Sequence, residues 1–264
     1  MKILNFLFSR SKQEQDKPIR DKLKTRKDFE RVLAEDLDIM ETTKARMDTA
    51  KNINLYMYRS LSYSYILILQ SKYSVDAKID ELRDIYIKSM HYFLQAFNKR
   101  NPIYADILNY VSLGVLLNIP DNNFRQLIDY VKQMDKLAKP SGWTPDLLLW
   151  FMLNSRMKEQ EKQKYAETLA YPRLYNGLYK VIQAPNAAAA KDALSKYLDR
   201  WYNLNSNAPW YNSHLKDNSY RGYWAWEVAA VAKIMHIDDS DLKNNQYYPY
   251  DMVHWADNET TAKE

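Results

Sequence analysis

Residues 220–233 read YRGYWAWEVAAVAK, with Glu227 following four large aromatic residues, and further on Asp251 closes the segment YYPYD. Two carboxylates set among aromatic rings are the equipment of a carbohydrate-processing enzyme. One acid protonates the leaving oxygen, the other assists from the opposite face, and rings stack on the sugar. In a chain with 33 acidic residues, such a pair carries little information by itself. The plainer role of Glu227 is a helix glutamate that accepts a tyrosine hydroxyl or an indole N–H. Asp251, two residues past Pro249, reads as a turn or cap residue.

Other reaction chemistry finds no foothold. The histidines, His91, His214, His236 and His254, lie far apart, so the local N/S/O spacing of a zinc site is not offered. Cysteine is absent, which removes thiolate ligands, a cysteine nucleophile and disulfides. Only 4 glycines occur, where ordinary usage gives roughly 18. Phosphate-cradling loops need several glycines close together, so nucleotide-binding folds are disfavoured. The reading therefore assigns no catalytic residue, no metal and no cofactor. Basic residues and 22 tyrosines suit nucleic acid in principle. Most of these tyrosines, however, sit at helical spacing between apolar residues, as core residues with a polar tip, and no direct nucleic-acid contact is expected.

The elements that must position these residues are helices. Phe29, Leu33, Leu37 and Met40 form one stripe of a helix beginning near Asp21. Residues 49–72 continue as an apolar helix, and Ser74 is read as the cap of a third helix carrying Ile79, Leu82, Tyr86, Met90, Phe93 and Phe97. Asn101-Pro102, Asp121, Thr144-Pro145-Asp146 and Asn186 are further start signals, and Pro172 breaks the segment 160–182. The run LLLWFML is apolar all round and reads as central. Strand signals are almost absent. The expectation is an all-α, irregular multi-helix bundle, with room for two merged helical subdomains. A basic lead-in covers 1–19, an N-terminal helical domain 20–140, and a C-terminal helical domain 141–264. If residues 220–227 are helical, Tyr220, Tyr223, Trp224 and Glu227 share one side.

Charge is polarised along the chain. Residues 1–140 hold 24 Lys/Arg against 18 Asp/Glu, whereas 236–264 hold seven acids against Lys243 and Lys263. No stretch approaches the roughly 20 apolar residues of a membrane span, and the start of the chain does not read as a secretion signal, so the chain is expected in the cytoplasm.

Tyr220, Gly222, Tyr223, Trp224, Trp226, Glu227, Ala229 and Ala230 spell Y-x-G-Y-W-x-aromatic-E-x-A-A, and Tyr247, Tyr248, Pro249 and Asp251 follow. With the lead-in WYNLNSNAPWYNSHLKD, which carries Trp201 and Trp210, the pattern resembles the C-terminal domain of the PoNi immunity family, partners of PoNe polymorphic nuclease toxins. The resemblance is specific over roughly 195–255 and weaker before it. It implies a helical, non-enzymatic protein of interbacterial competition that binds and neutralises a cognate DNase toxin delivered between cells. A DNA-holding nuclease surface is basic, so Asp238, Asp239, Asp241, Asp251 and Asp257 become candidate toxin contacts that stand in for phosphate. The motif residues themselves are expected to hold the domain together. Pairing with a second copy stays open, as do two alternatives: a helical adaptor for another protein, and a carbohydrate-processing helical enzyme.

Overall fold

The computed structural model describes residues 18–96, 103–136, 143–216 and 218–255. Among them the fold is all-α, relieved only by a single bridge between Asp146 and Thr168. The chain divides into two compact units. One takes the described part of Met1–Phe97 together with Asn212–Tyr223, the other the described part of Asn98–Tyr211 together with Trp224–Glu264.

In the first unit, α1 (Arg26–Thr49), α2 (Leu55–Ser74) and α3 (Ile79–Ala96) pack in sequence, α2 against both neighbours. Helix α1 starts at Arg26 rather than Asp21, because Thr25 and Asp28 close a reciprocal capping box. Asp21 instead turns its carboxylate back to the N–H groups of Leu23 and Lys24. Asn54 caps α2 through its side chain. No acid occurs in α2, and its serines Ser62, Ser64, Ser71 and Ser74 are buried. These small residues let helices approach, and Ser89 of α3 donates to the Ser62 carbonyl at 2.9 Å. Leu33, Met40, Leu61, Tyr65 and Ile68 fill the space between. Ser74 does not cap α3: it is the last residue of α2, and its hydroxyl donates to the Arg221 carbonyl at 3.0 Å.

The segment 212–223 is a strap across this unit. Arg221 lays its guanidinium on Asp36 of α1 in a two-pronged pair at 2.6 and 2.8 Å. Tyr220 donates to Asp21 and packs its ring on Phe29. Gly222 sits at φ 104, a conformation that side chains with a Cβ disfavour.

The second unit contains α4 (Tyr104–Leu116), α5 (Asp121–Lys136), α6 (Leu147–Asn154), α7 (Pro172–Ile182), α8 (Ala187–Leu204), α9 (Trp226–Met235) and α10 (Tyr250–His254). Helices α7 and α8 pair closely, and α4 and α9 share a second seam, with Ala229, Ala230 and Ala232 buried on α9 and Leu113 and Leu116 on α4. Small alanines permit that close approach. Lys233 and the Trp255 indole both donate to the Leu116 carbonyl, satisfying the orphan end of α4. Helix α6 is apolar all round and buried, as its sequence predicts. Its cap is Asp146, not Thr144: the Asp146 carboxylate accepts the Leu149 N–H at 2.7 Å, and Pro145 lies ahead of the helix. Pro172, read from the sequence as a break in 160–182, instead opens α7 at its first turn, and Asn186 caps α8 as expected.

Candidate functional site

The aromatic motif does not form one helical face. Residues 219–225 are outside any helix, and α9 begins at Trp226. Tyr220 and Tyr223 belong to the first unit, where they meet edge to face at 4.7 Å and where the Tyr223 hydroxyl accepts the His214 backbone N–H at 3.0 Å. Trp224, Trp226 and Glu227 belong to the second unit. The glycine at 222 supplies the conformation that turns the chain between the two halves of the motif.

In the second unit the Ala225 N–H donates to the Tyr247 carbonyl at 2.8 Å, tying the motif to the YYPYD segment. Tyr247 stacks on Tyr202 at 5.3 Å and packs on Trp201, which in turn stacks on Trp210 at 5.4 Å. Trp201 donates its indole N–H to Glu227 at 2.6 Å. Tyr248 donates its hydroxyl to Asp239 at 2.6 Å. Pro249 precedes α10, and Asp251 stands exposed in its first turn.

Glu227 lies deep in the unit yet remains half-buried rather than sealed. Burial pushes its carboxyl up to about 6, against the partial relief of the Trp201 hydrogen bond. Asp146 is fully buried. Desolvation raises its carboxyl as well, although the Ala170 and Leu149 N–H groups and the Tyr104 hydroxyl all donate to it. Tyr104 and Tyr175 are pushed up by burial first and by these two carboxylates after it. Beside them is a recess of about 340 Å³ lined by Ile103, Tyr104, Ala105, Tyr171, Leu174 and Tyr175. Sequence spacing missed this grouping, since Tyr104, Asp146, Tyr175 and Glu227 come from four separated segments. The usable signal was the apolar surroundings of Asp146 and Glu227.

The acidic candidates separate by exposure. Asp239 is 2 % exposed, and its carboxylate is held by Tyr248 and by His254 at 2.8 Å. Its expected place on a contact surface is therefore corrected: it is an internal acceptor joining the Ser240–Leu242 turn to α10. Asp238 and Asp241 are exposed, and Lys191 of α8 bridges both at 2.7 and 2.9 Å. That lysine holds the Asp238 carboxyl well below the usual range. Asp257 lies outside the described residues. Among the described residues no group of three or more His, Asp or Glu is placed to hold a metal ion, and no helix is long and apolar enough to cross a membrane.

These features define a two-part protein, all-helical among its described residues, whose motif rings Tyr220, Tyr223, Trp224, Trp226 and Tyr248 are buried. Two family models match it: the N-terminal model of PoNe immunity proteins over residues 11–129 and the C-terminal model over 144–252. The chain belongs to the PoNe immunity protein (PoNi) family. In fold it is similar to the crystal structure of protein PA2201 from Pseudomonas aeruginosa, at 18 % identity and a TM-score of 0.72, covering 97 % of this chain and 95 % of that one. No curated protein matches the chain.

Proposed function

We propose that this protein binds a cognate PoNe-type DNase toxin in the cytoplasm and neutralises it by occupying it, without chemistry of its own. Membership of the immunity family, matched in both halves of the chain, carries this reading. The internal arrangement supports it. The motif acids and rings are engaged with one another, Glu227 with Trp201 and Tyr248 with Asp239, as in a framework rather than a reaction centre. Specificity then belongs to exposed faces, which change partner without loss of fold. Asp238, Asp241 and Asp251 are the described candidate contacts. Lys191 must share its charge with the toxin if Asp238 and Asp241 take part.

Co-expression tests the reading. A nuclease toxin encoded beside this protein is expected to kill cells alone and to spare them when the protein is present. The purified pair is expected to co-elute as a stable complex. Absence of both protection and binding removes that toxin as the partner, and protein binding without protection returns the adaptor reading.

A further inference from the structure

Helix α2 packs against both α1 and α3, which occupy two of its sides. Its third side is exposed, yet it is not the charged side that a surface helix ordinarily turns to water. Tyr56 is 76 % exposed, Tyr63 56 % and Leu55 47 %. By helical periodicity these positions fall in one sector, together with the exposed Arg59 and the half-buried Leu67. Between Leu55 and Leu67 the sole charge is Arg59, and residues 50–75 hold no acid. A contiguous exposed surface this poor in charge marks a place of contact with another macromolecule.

The order of the side chains selects the occupant. Leu55, Arg59, Tyr63 and Leu67 follow one another at intervals of four, the row that forms a ridge on a helix. Read backwards, the row is Leu, Tyr, Arg, Leu. Laid antiparallel on its own copy, about a twofold axis at the level of Leu61, it sets Leu55 against Leu67 and Arg59 against Tyr63. The axis repeats each contact, as an isologous interface requires. A guanidinium on a tyrosine face is favourable, and the apolar ends meet each other. A basic nuclease surface, by contrast, finds no carboxylate on this stretch to answer it.

We propose that the third side of α2 is a self-association face, through which two copies of this chain pair by antiparallel α2 helices. The pairing concerns the protein alone and does not rest on the toxin reading. The exposed parts of Tyr56, Tyr63, Leu55 and Arg59 come to on the order of 400 Å² per copy, about half of the roughly 800 Å² per partner in a standard interface. The pair is therefore reversible, formed and released with concentration.

Sedimentation equilibrium of the full chain tests this. The weight-average mass is expected to climb from that of one chain toward that of two between about 1 and about 300 µM, the range suited to an interface of this size. Arg59→Glu sets a carboxylate against a tyrosine face, and Leu55→Asp sets one against a leucine. Each is expected to weaken pairing at least tenfold with unchanged circular dichroism and melting, and so is Leu67→Lys. Mixing Leu55→Asp with Leu67→Lys leaves one leucine–leucine contact and supplies one aspartate–lysine contact. The mixture is expected to associate at least tenfold more tightly than either variant alone, which reports the antiparallel register. A wild-type chain that stays single across the range, variants that pair as wild type, or a mixture without recovery overturns the proposal. Arg59→Glu and Leu55→Asp change exposed positions only, so they judge the face even where Leu67→Lys unfolds the chain. A single wild-type chain whose toxin binding is lost in Arg59→Glu also overturns it, and gives the face to the toxin.

Discussion

Aspartates and glutamates in this chain serve repeatedly as acceptors for aromatic donors. Asp135 takes the indole N–H groups of Trp143 and Trp150 and the hydroxyl of Tyr165 at 2.7–2.8 Å. Asp146 takes Tyr104, Asp239 takes Tyr248, Asp21 takes Tyr220 and Glu227 takes Trp201. A core built from so many tyrosines and tryptophans must place their polar tips, and a carboxylate is the acceptor with most capacity. The indole role of Glu227 is legible in the sequence. The inward turn of Asp239 is not, because an acid among DDSD reads as solvated and its acceptor duty depends on a ring nine residues away. Glu227 gives a clear pH signature. Its folded carboxyl is raised to about 6 from 4.5, so the folded state holds the proton more tightly than the unfolded chain. That contribution to stability is fully present below about pH 4.5 and is lost as pH rises through about 6, an effect of up to about 2 kcal/mol. Urea unfolding of Glu227→Gln is expected to match wild type near pH 4.5 and to exceed it by up to about 2 kcal/mol near pH 7.5. A difference that stays constant across that range would refute the assignment.

At the scale of elements, Asp121 and Asn186 mark helix starts where the sequence puts them, whereas Thr144-Pro145 stands ahead of its helix and Asn101-Pro102 lies outside the described residues. Residues 219–225 mislead because their rings happen to repeat at three and four while Gly222 adopts φ 104 and the chain hands its side chains to different units. The strap shows what that non-helical course achieves. Asp36 and Arg221 are 3 % and 8 % exposed, and Arg221→Ala leaves a buried aspartate alone, at an expected cost of about 3–5 kcal/mol in chemical denaturation. Replacing both partners, Arg221→Met with Asp36→Leu, is expected to recover most of that loss. If the single and double variants unfold alike, the pair is not what secures the strap. Helix α7 offers an opposite lesson about propensity. Alanine is ordinarily better than glycine in a helix by about 1 kcal/mol, yet a Cβ at Gly177 would stand 2.6 Å from the Tyr197 ring of α8. Gly177→Ala is therefore expected to lower stability by about 1–3 kcal/mol, measured by thermal or urea unfolding. A gain instead would mean that the Tyr197 ring yields freely.

For the molecule as a whole, the division expected at 140–141 differs from the first passage between the compact units, at 97–98, while the helical class is visible in composition. The return of 212–223 to the first unit is not, since nothing local in those twelve residues says which neighbours they serve. The chain passes between its two units three times, at 97–98, 211–212 and 223–224. A fragment of residues 1–97, the first unit without its strap, consequently lacks Tyr220 and Arg221, leaving Asp21 and Asp36 without those partners. Its thermal unfolding by circular dichroism is expected to be broad and early. Appending 211–224 through a flexible linker is expected to sharpen the transition and move it upward. The same stitching limits how relatives exchange parts. A hybrid gene joined near the middle takes its acids at 21 and 36 from one parent and the tyrosine and arginine that answer them from the other. Only parents that agree at all four positions yield a sound offspring, so a change of target is inherited more safely through scattered surface substitutions than by trading halves.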